Sequence, residues 1–116
     1  MKKLALMAVL LAVSMPAIAG PKETPAQKQL ITRFAKYLER EDWRATWIGV
    51  RGKAGDVFAI DLPGATVEAV YRFKKQCIDS GTTREQMKAA GFHSVRIYTG
   101  VESATFPKGE AVIPLD

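Results

Sequence analysis

The sequence predicts an α+β two-layer sandwich, in which a three- or four-stranded, mostly antiparallel sheet carries helices on one face. Three observations predict it. Between Trp43 and Leu62, two alternating apolar runs flank a turn bounded by Gly52 and Gly55. Segments on either side of this stretch repeat apolar residues at three- and four-residue spacing, the period of an amphipathic helix. A further alternating run, Ser94 to Thr99, follows the later helical pattern. An isolated hairpin is marginal in water, so its apolar face needs a cover that the flanking helices supply.

The chain opens with Lys2 and Lys3, an apolar run from Leu4 to Val13, then Ser14-Met15-Pro16 and Ala17-Ile18-Ala19. This is the pattern of a signal peptide: the run falls short of the roughly 20 residues a bilayer span needs, and Ala17 and Ala19 suit the small-residue pockets of a signal peptidase. Residues 1–19 are therefore expected to be a leader cleaved before Gly20, and residues 20–116 a single small domain, soluble once cleaved and periplasmic or secreted. The chain has 17 Lys and Arg against 12 Asp and Glu, a formal +5. The leader holds two of the basic residues, so the mature chain is only mildly basic. A domain of this size buries about 60% of its unfolded surface, enough for a core without cross-links. Cys77 is the only cysteine. No disulfide forms within one chain, and Cys77 is expected to lie as a small hydrophobe on the buried side of a helix.

The first helix of the domain starts at Thr24-Pro25-Ala26-Gln27, where Thr24 caps, Pro25 suits the first helical position and Gln27 bonds back to the cap amide. Leu30, Ile31, Phe34, Ala35 and Leu38 form its apolar stripe. Glu39, Glu41 and Asp42 place acids where the helix dipole disfavours them, and the sequence supplies no reason for that choice. In the hairpin, Ile48, Val50, Phe58, Ile60 and Leu62 share one face, and Trp47, Gly49, Arg51, Val57, Ala59 and Asp61 the other.

Pro63-Gly64 ends the second strand, and Thr66 caps the next helix, with Glu68 in its first turn. Val67, Val70, Tyr71, Cys77 and Ile78 mark the apolar side of that helix, Phe73 widens it, and Arg72, Lys74 and Lys75 make a compact basic group. Thr82-Thr83-Arg84-Glu85 reads as a second capping box, opening a short helix that Gly91 closes while Phe92 folds back on Met87. In the strand that follows, Val95 and Ile97 face the core and Arg96 and Tyr98 face away. Pro107-Lys108-Gly109 reads as a turn before a short last strand, Ala111 to Ile113, confined to an edge by Pro114.

The chemistry carried by these residues is sparse. One cysteine and one histidine fall short of a metal site, and a Cys77–His93 nucleophile pair conflicts with the apolar neighbours of Cys77. Asp56 and Asp61 are five apart on a strand and point to opposite faces, which argues against paired-carboxylate hydrolysis. Gly52 to Gly55 has the spacing of a phosphate-clamping loop but joins two strands, so hairpin geometry explains it. No motif marks a known family. The expectation is a protein that is not an enzyme and uses no cofactor.

By strand parity Trp47, Arg51, Arg96 and Tyr98 all project from the sheet face opposite the helices. Aromatic and arginine side chains are the types enriched where proteins bind partners, so these four are the candidate binding residues. The expected function is a small exported binding or accessory protein of the cell envelope that meets a protein partner through this face. The alternative is a binder of anionic envelope polymer or lipid head groups through Arg72, Lys74, Lys75 and the face arginines. Export and scattered basic residues argue against nucleic acid as a partner.

Overall fold

The computed structural model describes residues 23–116, so the expected leader lies outside the described residues. Its elements are α1 (Pro25–Arg40), β1 (Trp47–Arg51), β2 (Val57–Asp61), α2 (Val67–Phe73, continued by a π-helical turn over Lys74–Ile78), α3 (Thr83–Ala89), β3 (Ser94–Tyr98) and β4 (Glu110–Pro114). The four strands form one sheet in the order β1-β2-β3-β4. The β1–β2 and β3–β4 pairs are antiparallel, while β2 and β3 run parallel because α2 and α3 carry the chain back between them. This is an α+β sandwich with helices on one face.

The register aligns the apolar residues into two rows across the sheet. One row is Val50, Phe58, Val95 and Ile113; the other is Ile48, Ile60, Ile97 and Ala111. All but the half-buried Ile48 are buried. Leu30, Ile31, Phe34 and Leu38 from α1, Val70, Phe73, Cys77 and Ile78 from α2, and Met87 from α3 join the same core. Phe58 is its centre: its ring meets Phe34 edge-on at 5.2 Å and Phe92 at 5.1 Å, so one strand residue binds α1 and the end of α3 to the sheet.

The capping box at Thr24 forms as the sequence implies, with Gln27 N–H donating to Thr24 Oγ1 at 3.1 Å and Thr24 N–H to Gln27 Oε1 at 3.0 Å. Gln27 has a second task that periodicity does not reveal. It is buried, and its Nε2 donates to the carbonyl of Gly55 at 2.9 Å, so the amide satisfies itself while tying the start of α1 to the hairpin turn.

Both α1 and α3 end in the same motif. In α3, Gly91 has φ +97°, Phe92 N–H donates to the Met87 carbonyl and Gly91 N–H to that of Lys88. In α1, Asp42 takes the left-handed position with φ +63°, Trp43 N–H donates to the Leu38 carbonyl and Asp42 N–H to that of Glu39. Asp42 thus has the structural reason that its charge alone does not give, since aspartate tolerates this conformation better than most side chains. In each case the residue after the left-handed one turns inward. Phe92 enters the core, and Trp43 packs edge-on against Phe73 at 5.0 Å.

Three details differ from the sequence reading. Tyr71 does not belong to the buried stripe of α2: it is exposed, while Phe73 is fully buried, and the π-helical turn brings Ile78, five residues on, back onto the same side. The basic group of Arg72, Lys74 and Lys75 is not a free patch, because Arg72 lies 5.2 Å over the Trp43 ring and Lys74 Nζ is 2.7 Å from Asp79 Oδ2. The second capping box does not form; the Thr82 hydroxyl accepts from Gln86 Nε2 instead of capping the backbone. Arg84 is drawn to Asp79 Oδ1 at 2.6 Å and to the Pro114 carbonyl at 2.9 Å, so it fastens the last strand to the helix layer. Together Lys74 and Arg84 hold the Asp79 carboxyl below its ordinary pKa.

Phe58→Ala is expected to destabilise the fold by about 3–5 kcal/mol in urea denaturation, through lost burial and the cavity left behind. Trp47→Ala is expected to cost well under half as much. Equal costs would show that the two faces of the sheet contribute alike.

Candidate functional site

The sheet face away from the helices is built from the residues that alternate with the two apolar rows. Reading across the sheet, its three rows are Trp47, Asp61, Tyr98 and Glu110; Gly49, Ala59, Arg96 and Val112; and Arg51, Val57, Ser94 and Pro114. The inward-turning residue of each connection goes to the helix side: Trp43 to Phe73, Phe92 to Phe58, and Phe106 to Tyr71. On this face Trp47 and Val112 are exposed, whereas Val57 and Ala59 are buried outside the core cluster.

All four residues singled out from the sequence lie on it, but they form two groups. Trp47 and Arg51 belong to β1. The Trp47 ring extends along its own strand above Gly49, so closely that a β-carbon built at Gly49 would lie 2.6 Å from Trp47 Cζ2 and 2.7 Å from Cη2. The Arg51 guanidinium carbon sits 4.4 Å from the ring centroid. An arginine on an indole in this geometry contributes about 0.5–1 kcal/mol at an exposed site. The missing side chain at Gly49 is thus a packing requirement: glycine leaves the floor on which the indole rests. Trp47 remains 38% exposed.

Arg96 and Tyr98 belong to β3, two strands and therefore about 10 Å from β1. Arg96 Nε lies 3.5 Å from Glu110 Oε2 across the β3–β4 pair but makes no hydrogen bond there. The Tyr98 hydroxyl, with the carboxylates of Glu110 and Asp56, raises the guanidinium pKa against the lowering effect of burial, so Arg96 stays a cation. Asp61 stands between Trp47 and Tyr98. The face therefore presents a Trp–Arg stack on one side and an Arg–Tyr–Glu cluster on the other, with charges of both signs between them.

The reactive groups lie elsewhere and apart. Cys77 is buried under α1, and burial pushes its thiol up to about 11, against a smaller lowering by its hydrogen bond with the Tyr37 hydroxyl. Burial also raises the Tyr37 pKa, with a further contribution from Cys77. The two line a cleft of about 330 Å³ with Leu30 and Phe34 at its base and Arg33 and Gln86 among its polar walls. That cleft holds no histidine. His93 is exposed, with Nδ1 3.6 Å from Asp116 Oδ2. Among the described residues no three His, Cys, Asp or Glu side chains gather closely enough to hold a metal ion, and no helix is long and apolar enough to cross a membrane.

No protein-family model matches the chain, and no curated protein or solved structure shows significant similarity to it.

Two outcomes follow from this geometry. Gly49→Ala is expected to lift Trp47 off the sheet, seen as a red shift of tryptophan emission and a loss of about 1–3 kcal/mol from overpacking. An unchanged spectrum would show that the indole has another resting place. Cys77 is expected to resist a thiol reagent in the native protein at pH 8 and to react at once on unfolding, because the buried thiol stays protonated far above that pH.

Proposed function

We propose that the protein is a small exported, non-catalytic binding or accessory protein of the cell envelope that docks a protein partner on the outer sheet face. The observation that carries this reading is the Trp47–Arg51 stack. A large aromatic and a guanidinium are held in one geometry on a strand, with Trp47 still 38% exposed. Side chains ordered before binding lose less entropy when a partner arrives, and tryptophan and arginine are the commonest anchors of protein interfaces. The Arg96–Glu110 pair and Asp61 supply a polar surround of both signs, which suits a protein surface of matching pattern.

The same charges count against an anionic polymer or lipid head group as the partner. Arg96 faces Glu110, Lys74 is paired with Asp79, and Arg72 and Arg51 are stacked on Trp43 and Trp47, so most of the cations that such binding would recruit are already engaged and Lys75 alone of them has no such contact.

The test is a pull-down from the cell envelope with the tagged protein, run beside Trp47→Ala and Tyr98→Ala variants. A specific protein should be retained in 0.5 M salt, where the Debye length falls to about 4 Å, and lost with Trp47→Ala. Retention of anionic polymer alone, released by salt, would overturn the proposal.

A further inference from the structure

The cleft of about 330 Å³ between α1 and the other two helices divides into an apolar interior and a polar rim. Leu30, Phe34 and Cys77, all buried, form its inner side. Tyr37 and Cys77 hydrogen-bond to each other there, so that wall presents no unmet polar group. On the rim, Arg33 stands on the α1 side and Gln76, Ser80 and Gln86 on the opposite side, all four exposed. Ser80 gives its hydroxyl hydrogen to the Gln76 carbonyl, and Gln86 gives an amide hydrogen to Thr82 Oγ1. Small-molecule sites run from about 300 to 1,000 Å³, combine an apolar lining with a few polar groups, and often lie between packed helices. The cleft fits the lower end of that range.

The charge of the rim sets the sign of the ligand. Arg33 is the charged residue that lines this cleft, and it belongs to none of the ion pairs among the described residues. Its neighbours one turn away on α1 are Gln29, Leu30, Lys36 and Tyr37, none of them an acid. Glu41, whose charge reaches Tyr37 and Cys77, is eight residues from Arg33, about 12 Å along the helix, and lies 3.8 Å from Arg40. Two other clefts lack this character: the one beside Trp43 has Glu39 as its charged residue, and the one below Val112 sets Asp116 against Lys74 and Arg84. A guanidinium receives a carboxylate through two parallel N–H···O bonds. One cation balances one negative charge, so a dianionic phosphate would be only half neutralised.

We infer that this cleft is a binding site for a small amphipathic monocarboxylate, whose apolar body lies on Leu30 and Phe34 and whose carboxylate is taken by Arg33. The apolar interior has no polar group left to satisfy, so a polar body would lose hydrogen bonds on entering, while a purely apolar one would leave the guanidinium without its counter-charge. The site lies in the helix layer and uses none of Trp47, Arg51, Arg96 or Tyr98. It is independent of the partner reading above and stands or falls without it.

The test titrates octanoate at pH 7, with octanol as its uncharged counterpart, into the protein expressed from its full coding sequence, followed by amide NMR. Octanoate should bind saturably at one equivalent and shift the amides around Arg33, Tyr37, Cys77 and Gln86, while those of Trp47 and Tyr98 stay in place. Octanol should bind roughly three- to tenfold more weakly. Arg33→Gln should weaken octanoate by the same factor and leave octanol unchanged. Ser80→Trp, which sets a ring on the exposed rim, should exclude both. Circular dichroism of the two variants should stay native, because both positions are exposed. Absence of saturable binding would overturn the inference, as would equal binding of the two probes, octanoate binding indifferent to Arg33→Gln, or binding that persists in Ser80→Trp.

Discussion

Phe58 sits where the two layers of the molecule have to agree, because its ring is gripped edge-on by Phe34 of α1 on one side and by Phe92, just past α3, on the other. Everything else in the fold follows from holding those three rings together. Phe58 pairs with Val50 and Val95, so its row sets the register of the three strands β1 to β3, and a slip of one residue would turn every apolar side chain of that strand to the opposite face. Phe34 reaches it only because α1 begins where Gln27 is anchored to the hairpin turn. Phe92 reaches it only because Gly91 reverses the chain after α3. A local capping motif and a non-local core contact are thus the same event.

The strict alternation that buries one face also dictates the other. With Ile48, Val50, Phe58, Ile60, Val95 and Ile97 committed to the helices, Trp47, Arg51, Arg96 and Tyr98 have nowhere to go but outward. Once outside, an indole exposes a large apolar area, and the sheet responds by giving up a side chain at Gly49 so that the ring lies flat, while Arg51 closes over it. Such self-packing lowers the exposed apolar area and orders the side chains together. These are opposite pressures on function: less greasy surface to offer, but less disorder to remove on binding. The arrangement suits selective contact with one surface better than general stickiness.

The sequence made the strands and their faces legible because a period of two admits only two assignments, and burial of Phe58 and Ile60 decides between them. The first capping box was legible because its two bonds are local. Features that depend on distant partners were not. Gln27 reads as a capping residue, and nothing within its own helix shows that its other end meets Gly55. Tyr71 leaves the apolar side on which the sequence placed it, and Phe73, read only as widening that side, becomes its fully buried centre, because the helix changes period between Phe73 and Ile78. Thr82 fails as a cap because its hydroxyl is taken by Gln86, and Arg84 is recruited by Asp79 and Pro114 instead of serving its own helix. For the candidate site, membership of the face could be read from parity. The split into two clusters could not, because the sequence does not reveal which strand lies beside which.

The lone cysteine shows how packing can settle a chemical problem posed by composition. If the chain is exported as proposed, a single thiol in an oxidising compartment has no partner within its own chain and is exposed to exchange with others. Exchange needs a thiolate that can reach a disulfide sulfur, and both conditions are removed here. The π-helical turn sets Cys77 and Ile78 side by side in the core, where neither is reached by solvent. Burial raises the thiol to about 11, and its hydrogen-bond partner, Tyr37, has a raised pKa itself and so remains a neutral hydroxyl. A reactive cysteine instead needs a cation or helix N-terminus that lowers its pKa, and no cation is among the influences on Cys77, whose only charged one, Glu41, raises it. Sequence periodicity already places Cys77 on the buried side of this helix, and the π-helical turn is what seats it there beside Ile78.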